Sequence, residues 1–147
     1  MTMNVQKDLR EFVELFNALD VHFLIVGAFA VAHHGYARYT ADLDLFVEKS
    51  NENAERILRA IREFGFGDIG LTPEDFALKD QVVQLGIAPN RIDILTFLSG
   101  VSFEEAWSSR EWGNIGELRV PFISRALLKQ TKLATGRSQD LADLEHL

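Results

Sequence analysis

Three aspartates are spaced for chemistry. Asp42 and Asp44 stand two apart in a segment where Leu43, Leu45 and Val47 alternate with Asp42, Asp44 and Phe46. On a strand, two such carboxylates leave the same face with Cα atoms roughly 6.6 Å apart, at ~3.3 Å per residue. A second segment sets Asp93 between Ile92 and Ile94, so its side chain also turns away from its apolar neighbours. Hard divalent cations take oxygen ligands, and Mg²⁺ is commonly held by a few carboxylates together with substrate phosphates. Three converging aspartates therefore meet the demand of a two-ion phosphoryl-transfer site. Asp-x-Asp is also frequent by chance, and the spacing alone is equally that of solvated strand ends.

The elements that must position these residues follow from periodicity. Val5, Leu9, Phe12, Val13, Phe16 and Leu19 fall at helical spacing and predict an amphipathic helix ending near Asp20. His22 to Val26 reads as a strand stopped by Gly27, and Ala28 to Ala32 as a buried helix ending before Gly35. Ser50, Asn51 and Glu52 open a helix whose stripe is Ala54, Ile57, Leu58, Ile61 and Phe64, closed by Gly65. A short helix begins at Pro73. Gln81–Ile87 and Arg91–Phe97 predict a hairpin across Ala88-Pro89-Asn90, and Trp112–Phe122 a second hairpin turning around Asn114 to Gly116. Between them, Ser102 and Glu105 form a capping box for a brief helix containing Trp107, and Ser124 and Ser138 read as caps of two closing helices. The fold class is α/β: a single domain over 1–147 with a mixed sheet of about five strands packed with helices.

Composition narrows the function. With 147 residues, 47% hydrophobic and 25% charged, the chain has material for one well-filled core. Fifteen basic against 22 acidic residues give a net charge of −7. That balance argues against an extended duplex nucleic acid as partner. There is no cysteine, which excludes disulfides, thiolate metal sites and a thiol nucleophile. The longest apolar run, Phe23 to Ala32, is short of a ~20-residue membrane span, and Asp8 and Glu11 do not suit a signal peptide, so a cytoplasmic location is expected.

The stretch LIVGAFAVAHHGYARYTADLDLFV, with RIDILTFL and the closing LLKQTKLATGRSQDLADLEHL, resembles the nucleotidyltransferase superfamily typified by DNA polymerase beta. Within it the chain looks like the small bacterial members related to abortive-infection toxins. In that superfamily a Gly-Gly or Gly-Ser pair ends the first strand, an acidic pair lies on the next, and a third carboxylate comes from a later strand. Gly27, Asp42, Asp44 and Asp93 match these positions, while Ala28 stands where a second Gly or a Ser is usual. In the closing stretch Lys132, Gly136, Arg137, Asp140 and Asp143 match a helix lysine, a Gly-Arg turn and an Asp-rich final helix. The resemblance implies a minimal nucleotidyltransferase fold, Mg²⁺ as cofactor and a nucleoside triphosphate as substrate.

Each supporting residue then has a role and a rival. Gly27 and the N–H of Ala28 could let a phosphate approach the backbone, or Gly27 could simply serve a tight turn. Arg38, Lys132 and Arg137 are candidate phosphate cations. Alternatively, Arg38 pairs with Asp42 or Asp44, Lys132 is a solvated helix residue, and Arg137 bridges to Asp140. Thr40 could orient a carboxylate or cap a turn. Asp140 and Asp143 read as a helix cap or as partners of Arg137. His33 and His34 lack a metal motif and read as helix-end histidines, and Trp107 and Trp112 as core.

The function expected is Mg²⁺-dependent transfer of a nucleoside monophosphate from a triphosphate to an acceptor hydroxyl on an RNA end, a protein or a small molecule. Asp42 and Asp44 would hold two metal ions. Asp93 would bind the acceptor-side ion and help remove the hydroxyl proton. A protein partner of toxin–antitoxin type is part of the same expectation. The alternative is a nucleotide-binding or antitoxin-like regulatory module of the same fold without turnover.

Overall fold

The computed structural model describes residues 2–36, 42–67, 69–86 and 91–147, with side chains from residue 7 onward. Arg38, Thr40 and the Ala88-Pro89-Asn90 connection lie outside the described residues. The chain is α/β, built on a mixed sheet of six strands rather than five, in the order β3-β4-β2-β1-β6-β5. In chain order, α1 (Thr2–Ala18) leads into β1 (Phe23–Val26), α2 (Gly27–His33), β2 (Leu43–Val47), α3 (Asn51–Phe64) and α4 (Pro73–Ala77). Then come β3 (Val82–Leu85), β4 (Ile92–Leu95), α5 (Phe103–Ser108), β5 (Glu111–Ile115), β6 (Leu118–Phe122), α6 (Arg125–Thr135) and α7 (Ser138–Leu144).

Two long-range parallel pairings hold the sheet together. β2 lies parallel to β4 and β1 parallel to β6, while β1–β2, β3–β4 and β5–β6 are antiparallel. All four residues of β1 are buried, as a strand covered on both faces requires. On one face Phe16 of α1 packs edge-on against Phe23, and Phe12 meets Phe64 at the end of α3. On the other, Phe103 of α5 packs against Phe46 of β2.

The predicted helix signals act locally. Ser50 Oγ accepts from the Asn53 N–H, and Gly65, with φ of 109°, ends α3 in the left-handed conformation. Asn53 is buried and does more than cap. Its amide accepts from the His22 N–H and donates to the carbonyls of His22 and Glu48. One side chain thus satisfies backbone groups at the edges of β1 and β2 that burial would otherwise leave unpaired.

Three local expectations are corrected. The second hairpin turns at Gly116 and Glu117, because Ile115 pairs with Leu118. The cap of α7 is Arg137, not Ser138, with the Asp140 carboxylate reaching back to accept the Arg137 N–H. Trp112 is 48% exposed instead of core, its ring lying under the Arg119 guanidinium.

Candidate active site

The β2–β4 pairing assembles the carboxylates. Asp44 is the direct cross-strand partner of Asp93 and, on its other side, of Val26 at the end of β1. Directly opposed residues project from the same face, so Asp44 and Asp93 meet side by side on the sheet face that α5 covers further along. Asp42, just before β2, joins them through Arg91. The Arg91 guanidinium stands 3.2 Å from Asp42 Oδ2 and 3.1 Å from Asp93 Oδ1. Arg91 was not singled out from the sequence, though it lies two residues before Asp93 and strand alternation puts both on one face.

The electrostatics are those of crowded, partly buried carboxylates. Burial, followed by the charge of Asp93 and a shared hydrogen bond with it, pushes Asp44 up to about 7. Burial also raises Asp93, against the lowering effect of Arg91. The Asp93 side chain is only 10% exposed. Its Oδ1 and the Arg91 Nε face each other without hydrogen-bond alignment, and both are buried with no hydrogen-bond partner among the described residues. A carboxylate oxygen held by an ion pair without an aligned hydrogen bond, beside a second carboxylate that has to share a proton, fits a divalent cation held by oxygen donors.

Gly27 takes part for a reason that the sequence did not disclose. Its φ is +67°, and a Cβ built there would lie 2.0 Å from Asp44 Oδ2. The space left by the missing side chain is filled by the Asp44 carboxylate. Ala28 is buried behind it at the start of α2.

The closing helices bring one cation to this edge and withhold another. Arg137 is 76% exposed at its side chain and bonds Asp140 through Nε at 2.7 Å. Its proton is held more tightly than usual, first by that hydrogen bond and also by the charge of Asp44, which places the guanidinium within electrostatic reach of the carboxylates. Lys132 is neither a solvated helix residue nor a free phosphate ligand. Its amine is buried, 2.9 Å from Asp143 and 3.3 Å from Asp140. A phosphate would have to compete with two buried carboxylates for this amine, so Lys132 acts in this structure as a positioning residue of the α6–α7 pair. Asp140 also accepts from Thr135 Oγ1. Although burial pushes its carboxyl up, bonds from Arg137, Thr135 and Lys132 hold it well below the usual range.

The histidine pair sits on the opposite face. His33 stacks on Phe122 with centroids 4.1 Å apart, and His34 Nε2 lies 2.8 Å from the Ile123 carbonyl. Burial and His34 together lower the His33 pKa. Glu111, which nothing in the sequence connects to this pair, joins it. A cavity of about 640 Å³ on this face is lined by Lys7, Arg10, Phe29, His33, Asn114 and Phe122 among others. None of the three aspartates lines it.

No family model matches the chain, and no curated protein is significantly similar to it. Among the described residues no helix is long and apolar enough to cross a membrane.

Proposed function

We propose that the carboxylate edge is the active site of a nucleotidyltransferase that moves a nucleoside monophosphate from a nucleoside triphosphate to an acceptor hydroxyl. The observation that carries this reading is the in-register pairing of Asp44 with Asp93, with Asp42 tied in by Arg91. The resemblance of the Gly27, Asp42, Asp44 and Asp93 pattern to the polymerase beta superfamily supports it. Mg²⁺ would be held by Asp42, Asp44 and Asp93, where a bound divalent ion supplies charge for the phosphoryl oxygens and acidifies the attacking hydroxyl.

The protein's own residues supply the rest. Asp44, poised near neutrality, gives up its shared proton when positive charge arrives. Asp93 is the base placed to accept the acceptor hydroxyl's proton, and Arg91 keeps its carboxylate oriented. Arg137, exposed and within electrostatic reach of Asp44, supplies charge to the triphosphate tail. The acceptor belongs to the set of RNA ends, proteins and small molecules, in keeping with an acidic chain. A toxin–antitoxin setting and a cytoplasmic location belong to the same proposal.

Calorimetric titration with each nucleoside triphosphate, with and without Mg²⁺, tests the site, followed by transfer of label from the α-phosphate in cell lysate. Expected is Mg²⁺-dependent binding and labelling of one acceptor class, with Asp44→Asn lowering transfer by on the order of 10³-fold, since a metal-held phosphoryl group is worth several kcal/mol. Binding without transfer would replace the enzyme by a nucleotide-binding regulatory module, a reading favoured by the engagement of Lys132 with Asp140 and Asp143. Absence of any nucleotide binding would overturn both.

A further inference from the structure

The segment Phe122–Ile123, where β6 ends, organises a second group of metal-ligating side chains away from the aspartates. Glu111 is the cross-strand partner of Phe122. The His33 ring lies nearly parallel to the Phe122 ring, with an angle of 7° between them. His34 bonds the Ile123 carbonyl through Nε2 at 2.8 Å. Three side chains from α2, its C-terminal end and β5 are thereby gathered over one short piece of backbone, each offering a donor atom within 4.8 Å of the others.

The group has the features of a built site. His34 donating its Nε2–H to a carbonyl leaves Nδ1 as the lone-pair nitrogen, and metal-ligating histidines usually have their other ring nitrogen anchored in this way. His33 can lie where it does only because residue 113 is glycine: a Cβ there would come within 2.5 Å of His33 Cε1 and 2.7 Å of its Nδ1. Among the described residues the His33 ring nitrogens have no hydrogen-bond partner. Two imidazoles and one carboxylate form a donor set of intermediate softness, matched to Zn²⁺ and its neighbours rather than to Mg²⁺. Tetrahedral ligands about 2.0–2.1 Å from Zn²⁺ stand roughly 3.3 Å apart, so small side-chain rotations close the group on an ion.

We infer that His33, His34 and Glu111 form a binding site for a first-row transition ion of the Zn²⁺ type, on the sheet face opposite the aspartates. Three protein ligands leave one coordination position for water or a small anion. His33 and Phe122 also line the 640 Å³ cavity, so that position lies at the cavity's edge. A bound ion would clamp α2 to the β5–β6 hairpin.

The site is tested on the full chain with Zn²⁺ alone and with Co²⁺ as a visible-absorption reporter, in millimolar Mg²⁺ to fill the aspartate edge. Expected is one ion per chain, a Co²⁺ spectrum of four- or five-coordinate type without thiolate bands, and a higher melting temperature with Zn²⁺. Glu111→Gln and His33→Phe, which keeps the aromatic stack on Phe122, should each weaken binding by about tenfold or more. Asp44→Asn should leave it unchanged. Absence of binding by the wild-type chain, or binding lost in Asp44→Asn and retained in His33→Phe and Glu111→Gln, would overturn the assignment without touching the proposed transferase reaction.

Discussion

Two acidic clusters lie near one another and behave oppositely. Where β2 and β4 run side by side, Arg91 is, among the described residues, within ion-pair distance of both Asp42 and Asp93, and Asp44 is pushed up to about 7. Between α6 and α7, Asp140 and Asp143 are met by Lys132 and Arg137 together, and Asp140 is held well below the ordinary carboxylate range. Both clusters are substantially buried, so burial alone does not separate them. The difference is the local charge balance. Carboxylates that receive several charged hydrogen bonds serve the fold, whereas a buried carboxylate pressed against a second one is favoured by an arriving positive ion.

The largest effect on stability should come from breaking the matched cluster. Lys132→Met leaves Asp140 and Asp143 buried without their shared counter-ion, which costs about 3–5 kcal/mol. Chemical denaturation should show a lowered midpoint at unchanged slope. A loss under about 1 kcal/mol would mean that water reaches the α6–α7 interface. The result would then place Lys132 in the same class as the surface pair Arg59–Glu63.

The unmatched cluster should show itself through pH. The folded chain binds the Asp44 proton more tightly than the unfolded chain does, so this group favours folding fully below its ordinary value of 3.8, and the advantage is lost as pH rises through about 7. Melting temperature measured without divalent ions should therefore fall across that window. Asp44→Asn should flatten the fall and make the metal-free protein more stable at pH 8. Mg²⁺ titrated near neutrality should release protons, detectable as a heat that varies with the buffer's ionisation enthalpy. A pH-independent melting temperature would show that Asp44 is ionised in the free protein.

A smaller change sharpens the geometry. Gly27→Ala forces a non-glycine residue into φ of +67° and drives its Cβ onto Asp44, with backbone strain alone costing about 1–2 kcal/mol. Mg²⁺ affinity should drop further than stability does, because the carboxylate must move. Equal affinity in the variant would indicate that Asp44 has room that the fold does not display. The smallest stability effect belongs to Arg137→Ala, under about 1 kcal/mol for so exposed a side chain. Nucleotide affinity should nonetheless weaken, and unchanged affinity would remove Arg137 from the site.

The elements around the site were legible where physics is local. Ser50 and Gly65 bound α3 because capping and left-handed glycine operate within a few residues. The same-face relation of Arg91 and Asp93 is equally present in strand alternation. The role of Lys132 was not readable in this way. A lysine on an amphipathic helix is solvated or buried according to what packs on it, and α7 folds back with two aspartates to enclose it.

The sequence by itself determined the alternation that sends Asp42, Asp44 and Asp93 away from the apolar packing positions, the surplus of acid, and the absence of thiol chemistry. Those are properties of residue type and of a two-residue period. Only the tertiary structure decided that β2 lies parallel and in register with β4, setting Asp44 against Asp93, and that Glu111 reaches His33 and His34. Register between strands separated by some fifty residues is chosen by the whole core at once. A shift of one residue would carry Leu43 and Leu45 out of the core and the aspartates into it.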